Sequence, residues 1–292
     1  MAYTQLIPRH TPNARVEEIS RESSHYRLSI PSDSSNSYRL AQLDDYTKIS
    51  RKRFPHRGPL RLSLFARTSS DSIPGTWGFG LWNDPFGLSL GFGGNPWRLP
   101  TLPNTAWFFG ASAESYLSFA SSLDTDGTLR LRRQRAAAPL TTVPMPFGSA
   151  STSPTRPPVF NGFIAQTFRA PRFHPLLILA GMALPFSRKL TRRLLSRVIE
   201  EDGIDLCRGE QPLAATDWHR YSLNWREKRV SFEVDNALVL ESPVSPNPPL
   251  GLVIWIDNQF AAFTPEGRIG FGVLANPEPA WLEVKEIEVI AP

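Results

Sequence analysis

One cysteine, Cys207, is all that the 292 residues contain. A lone thiol excludes an intramolecular disulfide and any cysteine-built zinc site. Charge imbalance is also modest: 32 Lys and Arg against 27 Asp and Glu leave a net +5. Such a balance is compatible with solubility alone, and no zinc-finger, homeodomain or RNP signature points to a nucleic-acid partner. Long apolar runs are missing; Leu176 to Leu184, bounded by Pro175 and Pro185, is far short of the ~20 residues needed to cross a bilayer. H-E-x-x-H is absent, and the glycines of 86–98, a Gly87-Leu-Ser-Leu-Gly91 run among them, are followed by no helix that would make a phosphate cradle or a nucleophile elbow. The five histidines (His10, His25, His56, His174 and His219) are scattered, and Asp124-Thr-Asp126-Gly127 reads as a turn, not a calcium loop. No cofactor or metal is expected. The opening residues MAYTQLIPRHTPNARVEE lack the apolar stretch of a secretory signal, so the expected location is cytoplasmic.

What the sequence does have is proline, 28 residues spread throughout, about twice the usual share. Short elements joined by rigid turns follow, and a doubly wound parallel sheet is disfavoured. Asp217 to Asn236 is the clearest unit. Tyr221, Leu223 and Trp225 alternate on one strand and Val230, Phe232 and Val234 on the next, with a polar Arg-Glu-Lys turn between them. Both strands turn large apolar side chains to one side and so require a second layer. Further strands are predicted at His25–Ile30, Arg39–Ile49, Leu60–Arg67, Trp107–Phe119, Thr128–Arg135, Phe160–Phe168, Leu252–Asn258, Arg268–Val273 and Ala280–Ile290. The last shifts phase at Lys285-Glu286, the mark of a bulge. Residues 1–22 are polar and read as a flexible arm, followed by a single domain over 23–292.

Two stretches depart from plain strand character. In Gly75–Asp84, Trp77, Phe79 and Leu81 would face one way, and Gly78, Gly80, Trp82 and Asp84 the other. Glycines on one face of a strand mean that something approaches the backbone closely: a flat ligand beside Trp82, or a neighbouring segment. Residues 171–203 break the β pattern. An apolar piece containing Leu176, Leu177 and Ile178 precedes a predicted amphipathic helix with Arg188, Lys189, Arg192, Arg193 and Arg197 outside its apolar stripe. It would pack on the sandwich or dock on an anionic membrane surface, the latter placing the protein peripherally on the inner membrane face.

Asp217-Trp-His-Arg-Tyr221 with Trp225, followed by Val230-Ser-Phe-Glu-Val-Asp235, resembles the late hairpin of the concanavalin A-like lectin/glucanase superfamily, in particular its laminarinase-type glycoside hydrolases. Gly75-Thr-Trp77 with Trp82 and the closing AWLEVKEIEV are similar to two further strands of that family. The resemblance implies an all-β fold, a two-sheet antiparallel jelly-roll β-sandwich carrying here one short inserted helix, with a concave face for an extended ligand. The family's catalytic Glu-x-Asp-x-x-Glu is missing; the equivalent stretch, WFFGASAESYLSF, offers only Glu114. Retaining hydrolysis needs two carboxyls about 5–5.5 Å apart.

The expected function is therefore non-catalytic binding of a carbohydrate or similar extended ligand. Trp82 and Trp255 would stack on it, with Asn83, Asp84, Glu114, Asp257 and Asn258 supplying hydrogen bonds. The alternatives are an atypical hydrolase or cyclase using Glu114 or Asp257 as a single acid/base on an apolar substrate, and a peripheral membrane protein docking through 171–203.

Overall fold

Period-two burial decides the architecture. In the computed structural model, which describes residues 5–33, 37–85, 98, 101–117, 162–171, 198–207, 213–263 and 269–291, the hairpin forms as predicted. His219–Arg226 and Arg229–Val234 pair in antiparallel register across a two-residue turn, with Tyr221, Leu223, Trp225, Val230, Phe232 and Val234 all buried. Asp235 and Asn236 then adopt positive φ, which Asp and Asn tolerate, and send the chain back as Ala237–Ser242.

Around this hairpin the strands assemble into two seven-stranded antiparallel sheets. In spatial order, the first holds Ile7–His10 (β1), Leu40–Asp44 (β4), Gly251–Asp257 (β14), Thr76–Trp82 (β6), Thr105–Ala111 (β7), Gly162–Arg169 (β9) and Glu200–Asp205 (β10). The second holds Ala237–Ser242 (β13), Arg229–Val234 (β12), His219–Arg226 (β11), Leu60–Thr68 (β5), Ala280–Ile290 (β17), His25–Ile30 (β3) and Arg15–Ser20 (β2). Gln259–Phe263 (β15) joins Ile269–Val273 (β16) and Tyr116–Leu117 (β8) in a small third sheet. The fold is the expected all-β, two-sheet antiparallel jelly-roll sandwich.

Its core lies between the two large sheets. Leu60, Leu62, Leu64, Ala66, Tyr221, Leu223, Trp225 and Leu282 meet Trp77, Phe79, Leu81, Phe108, Phe163, Leu252 and Ile254 from the opposite side. Each large apolar side chain buried there contributes ~1.5–3 kcal/mol. The bulge on β17 is present: register slips between Lys285 and Glu288, with Glu286 at φ 52°.

Three expectations are corrected. The N-terminal residues read as a flexible arm contain β1 and β2, paired with β4 and β3 at the edges of both sheets. Edge strands bury little, so a polar sequence suffices for them. Trp107–Phe119 is not one strand: β7 ends at Ala111 and β8 begins at Tyr116. Within the predicted helical insert, Glu200–Asp205 is strand β10, paired with β9. The rest of the helix and its apolar and basic residues (Leu176, Leu177, Ile178, Arg188, Lys189, Arg192, Arg193, Arg197), like the Thr128–Arg135 strand, lie outside the described residues. Among those described, the one helical turn is Arg51–Arg53, and no helix is long and apolar enough to cross a membrane.

Candidate functional site

Alternation in β6 works as read. Trp77, Phe79 and Leu81 enter the core, while Gly78, Gly80 and Trp82 lie on the outer face of the first sheet. The closely approaching groups are the protein's own: the carbonyls of Phe108 and Ala106 on β7, then Trp255 and Trp107. Trp255 sits opposite Gly78 on the neighbouring strand, its ring 2.8 Å from where a Cβ would stand. Trp107 sits opposite Gly80, its Cα 2.6 Å from such a Cβ. The same pairing recurs for Trp77 with Gly110 and Trp82 with Gly251, so every tryptophan in this sheet faces a glycine across the ladder. At Gly78 and Gly110 the missing Cβ lets an indole, Trp255 and Trp77 respectively, lie down on the neighbouring backbone, while Gly251 takes the Tyr46 ring and Gly80 the backbone of β7.

The product is an aromatic cluster on the outer face. Trp82 and Trp255 run parallel, 6.1 Å apart with 4° between planes. Trp107 tilts against Trp255 at 5.5 Å and stacks on Phe109 at 5.2 Å. Trp255 is 7% exposed. Trp82, at the end of β6, is half-buried and the more accessible of the parallel pair.

Polar groups are threaded through the cluster. The Trp255 Nε1–H donates to Thr76 Oγ1 at 3.0 Å, and the Thr76 hydroxyl donates to Asp257 Oδ1 at 2.7 Å. The Gln259 backbone N–H also reaches Oδ1, and the Tyr38 hydroxyl donates to Oδ2 at 3.2 Å. Burial pushes the Asp257 carboxyl up to about 6, because these hydrogen bonds only partly offset the loss of water. On β4, Asp44 accepts from Gln42 at 2.8 Å and from the hydroxyl and N–H of Thr47, both at 2.6 Å. The Gln42 amide also donates to the Tyr46 hydroxyl. That phenol is pushed well above its ordinary value by burial and then by the charges of Asp84 and Asp44.

The predicted residues fall into four groups. Trp82, Trp255 and Asp257 share the outer face. Asn83 and Asp84 follow Trp82 at one end and are tied inward. Asn83 bonds the carbonyl of Leu102 and the N–H of Asn104. Asp84, at φ 49°, accepts from the buried Arg98 at 2.6 Å. Arg98 in turn donates to the carbonyls of Tyr46 and Ile49, clasping the corner. At the opposite end, Asn258 accepts from Arg39 N–H and donates to the carbonyls of Ser37 and Leu274, so its amide is fully engaged within the chain. Glu114 is exposed in the turn after β7 and not part of a strand, which removes the buried setting that made it a candidate acid.

β7, the strand that the sequence resemblance set against a catalytic one, presents Thr105, Trp107, Phe109 and Ala111 outward, and none is a carboxylate. Sequence reasoning missed Tyr38, Gln42, Asp44, Tyr46, Thr76, Arg98 and Trp107. The alternation Leu40-Ala-Gln42-Leu-Asp44 was available as a sign of polar side chains on one face. Nothing local links them to Trp255. Among the described residues no cluster of three His, Cys, Asp or Glu could hold a metal.

No protein-family model and no curated protein matches the chain. Solved structures to which it is similar include the catalytic domain of an endo-1,3-beta-glucanase (laminarinase) from Thermotoga petrophila RKU-1: 11% identity, 95% of this chain, 81% of that one, TM-score 0.43. Another is a GlcNAcα1-4Gal-releasing endo-β-galactosidase from Clostridium perfringens, at 9% identity over 98% of this chain and 59% of that one, TM-score 0.41. A third is the binding domain of botulinum neurotoxin DC, at 5% identity over 99% of this chain, TM-score 0.40. The chain spans 43% of the length of that binding domain and 17% of a similar sialidase.

Proposed function

We propose that the protein binds a carbohydrate, or a similarly extended ligand, at the Trp82 end of the outer face of the first sheet, without glycosidase chemistry. The observation that carries this reading is the half-buried Trp82 indole, held parallel to Trp255 and backed by Trp107. A ring braced on one side by other rings offers a rigid flat surface to the apolar face of a sugar, at little cost in side-chain entropy. The outward side of β7, Thr105, Trp107, Phe109 and Ala111, supports binding over retaining hydrolysis, which needs a carboxylate pair. Glycan-array binding with wild type and Trp82→Ala tests it. The alanine variant should lose about tenfold or more in affinity while keeping its fold. An array on which the wild type binds nothing, or a Trp82→Ala variant that binds as well as the wild type, would sink the reading.

Asp257 favours a second reading, single-carboxylate acid/base chemistry on an apolar substrate. The residue is buried and its carboxyl raised to about 6, near the value useful for proton transfer at neutral pH. Against it, both carboxylate oxygens already accept hydrogen bonds from Thr76, Gln259 and Tyr38.

A further inference from the structure

The outer face of the second sheet combines rings and cations in a different way. Alternation places Trp281, Glu283 and Lys285 outward on β17, Arg27 on β3, and Phe65 and Arg67 on β5, with Trp218 just before β11. The Arg27 guanidinium lies 5.1 Å from the centre of the Trp281 ring. Arg67 lies 4.8 Å from Trp218 and 5.5 Å from Trp281. The Lys285 ammonium rests on ring faces too, 4.4 Å from Trp218 and 5.6 Å from Phe65.

Glu283 organises this patch from beneath. Its side chain is only 2% exposed, and each oxygen serves one arginine. Arg27 donates through Nε and Nη2 to Oε1, and Arg67 through the same two nitrogens to Oε2. Burial alone would raise the Glu283 carboxyl; the hydrogen bonds from Arg67 and Arg27 outweigh it and hold the group below its ordinary value. One carboxylate thus fixes two guanidiniums, and the patch keeps a positive excess that Lys285 increases. Both arginines turn the Nε–Nη2 edge inward, which leaves Nη1 on the far side of each fork. Their side chains remain 40% and 35% exposed while paired with Glu283. Guanidiniums locked in place before a ligand arrives lose little freedom on binding an anion.

We propose that this face is a docking surface for an acidic polysaccharide, a uronate- or sulfate-bearing chain. Its anionic groups meet Arg27, Arg67 and Lys285. Charge complementarity selects an anion, and the breadth of an open sheet face selects an extended one. Nucleic acid fits less well: the indoles are capped by cations and offer no bare face for a base, and a broad sheet does not enter a duplex groove. The surface is separate from the Trp82 site and stands or falls independently of it.

Affinity measurements on the intact protein decide the matter, with polygalacturonate and heparin as acidic probes and a neutral glucan and single-stranded DNA as controls. Wild type should bind an acidic probe, bind it more weakly as salt rises, and bind the neutral glucan far less on this face. Arg67→Gln should weaken binding about tenfold, since a charge-assisted bond is lost. Lys285→Gln, which leaves the Glu283 pairing intact, should weaken binding severalfold while lowering the melting temperature by no more than a few degrees. Failure of both acidic probes to bind, wild-type affinity in Lys285→Gln, or equal affinity for single-stranded DNA would each overturn the proposal.

Discussion

The two large sheets both carry tryptophan on their outer faces and use it in opposite ways. On the first, Trp82, Trp107 and Trp255 each face a glycine across the ladder and pack on one another, the Trp255 ring lying on Gly78. Their polar edges are served from inside the face, as Trp255 is by Thr76 and Trp107 by Gln166. On the second, Trp218 and Trp281 have Arg27, Arg67 and Lys285 over their rings. The neighbours across the ladder differ. Trp255 faces Gly78 and lies flat on it, whereas Trp281 faces Ser29 and takes its cations, Arg27 and Arg67, from the diagonal positions beside Glu283. The same residue type is an element of a hydrophobic layer in one case and of a wet surface in the other.

Truncating one tryptophan from the dry face gives the largest expected effect. Trp255→Ala removes a ring packed against Trp82, Trp107, Phe109 and Gly78, and breaks its bond to Thr76. Loss of a buried tryptophan costs ~3–5 kcal/mol, read as a lower midpoint in denaturant unfolding. A loss under about 1 kcal/mol would mean that the outer face is not a packed layer.

Asp257 sharpens the contrast through pH. Its carboxyl is raised to about 6 in the folded chain, against ~3.9 in an unfolded one. A raised value means that the folded state holds the proton more tightly. The associated stability is fully present below about pH 4 and is lost as pH rises through about 6. Two units correspond to ~3 kcal/mol. In unfolding titrations, the stability of wild type relative to Asp257→Asn should therefore fall by roughly that amount between about pH 4 and pH 7. A difference independent of pH would place the carboxyl in contact with water and would also weaken the acid/base reading.

Much of this architecture was legible in the chain, and the boundary of legibility has a physical cause. Leu60–Arg67, the Asp217–Asn236 hairpin and the Lys285-Glu286 bulge announce themselves because burial on one face imposes period two. Gly78 and Gly80 correctly announced a close approach. The approaching groups, Trp255 and Trp107, could not be named, because ladder partners are set by sheet order and not by sequence distance. Polar edges misled in both directions. Ile7–His10 and Arg15–Ser20 looked like an arm, and Glu200–Asp205 looked like the end of a helix. An edge strand buries too little to write a strong pattern. For the candidate site, the aromatic and acidic residues were visible, but Asn258 and Asp84 looked available until the partners Arg39 and Arg98 came into view.

The smallest expected effect comes from the wet face. Trp281 is half-buried, and its contacts there are with the guanidiniums of Arg27 and Arg67. Exposed cation–π contacts are worth ~0.5–1 kcal/mol each. Both arginines stay anchored on Glu283 when the ring is removed, so the geometry of the cations survives. Trp281→Ala should therefore cost ~1–2 kcal/mol in unfolding, well below Trp255→Ala. Equal losses for the two substitutions would erase the distinction between the faces, since a ring under solvated cations would then be as much a part of the packed interior as one lying on glycine.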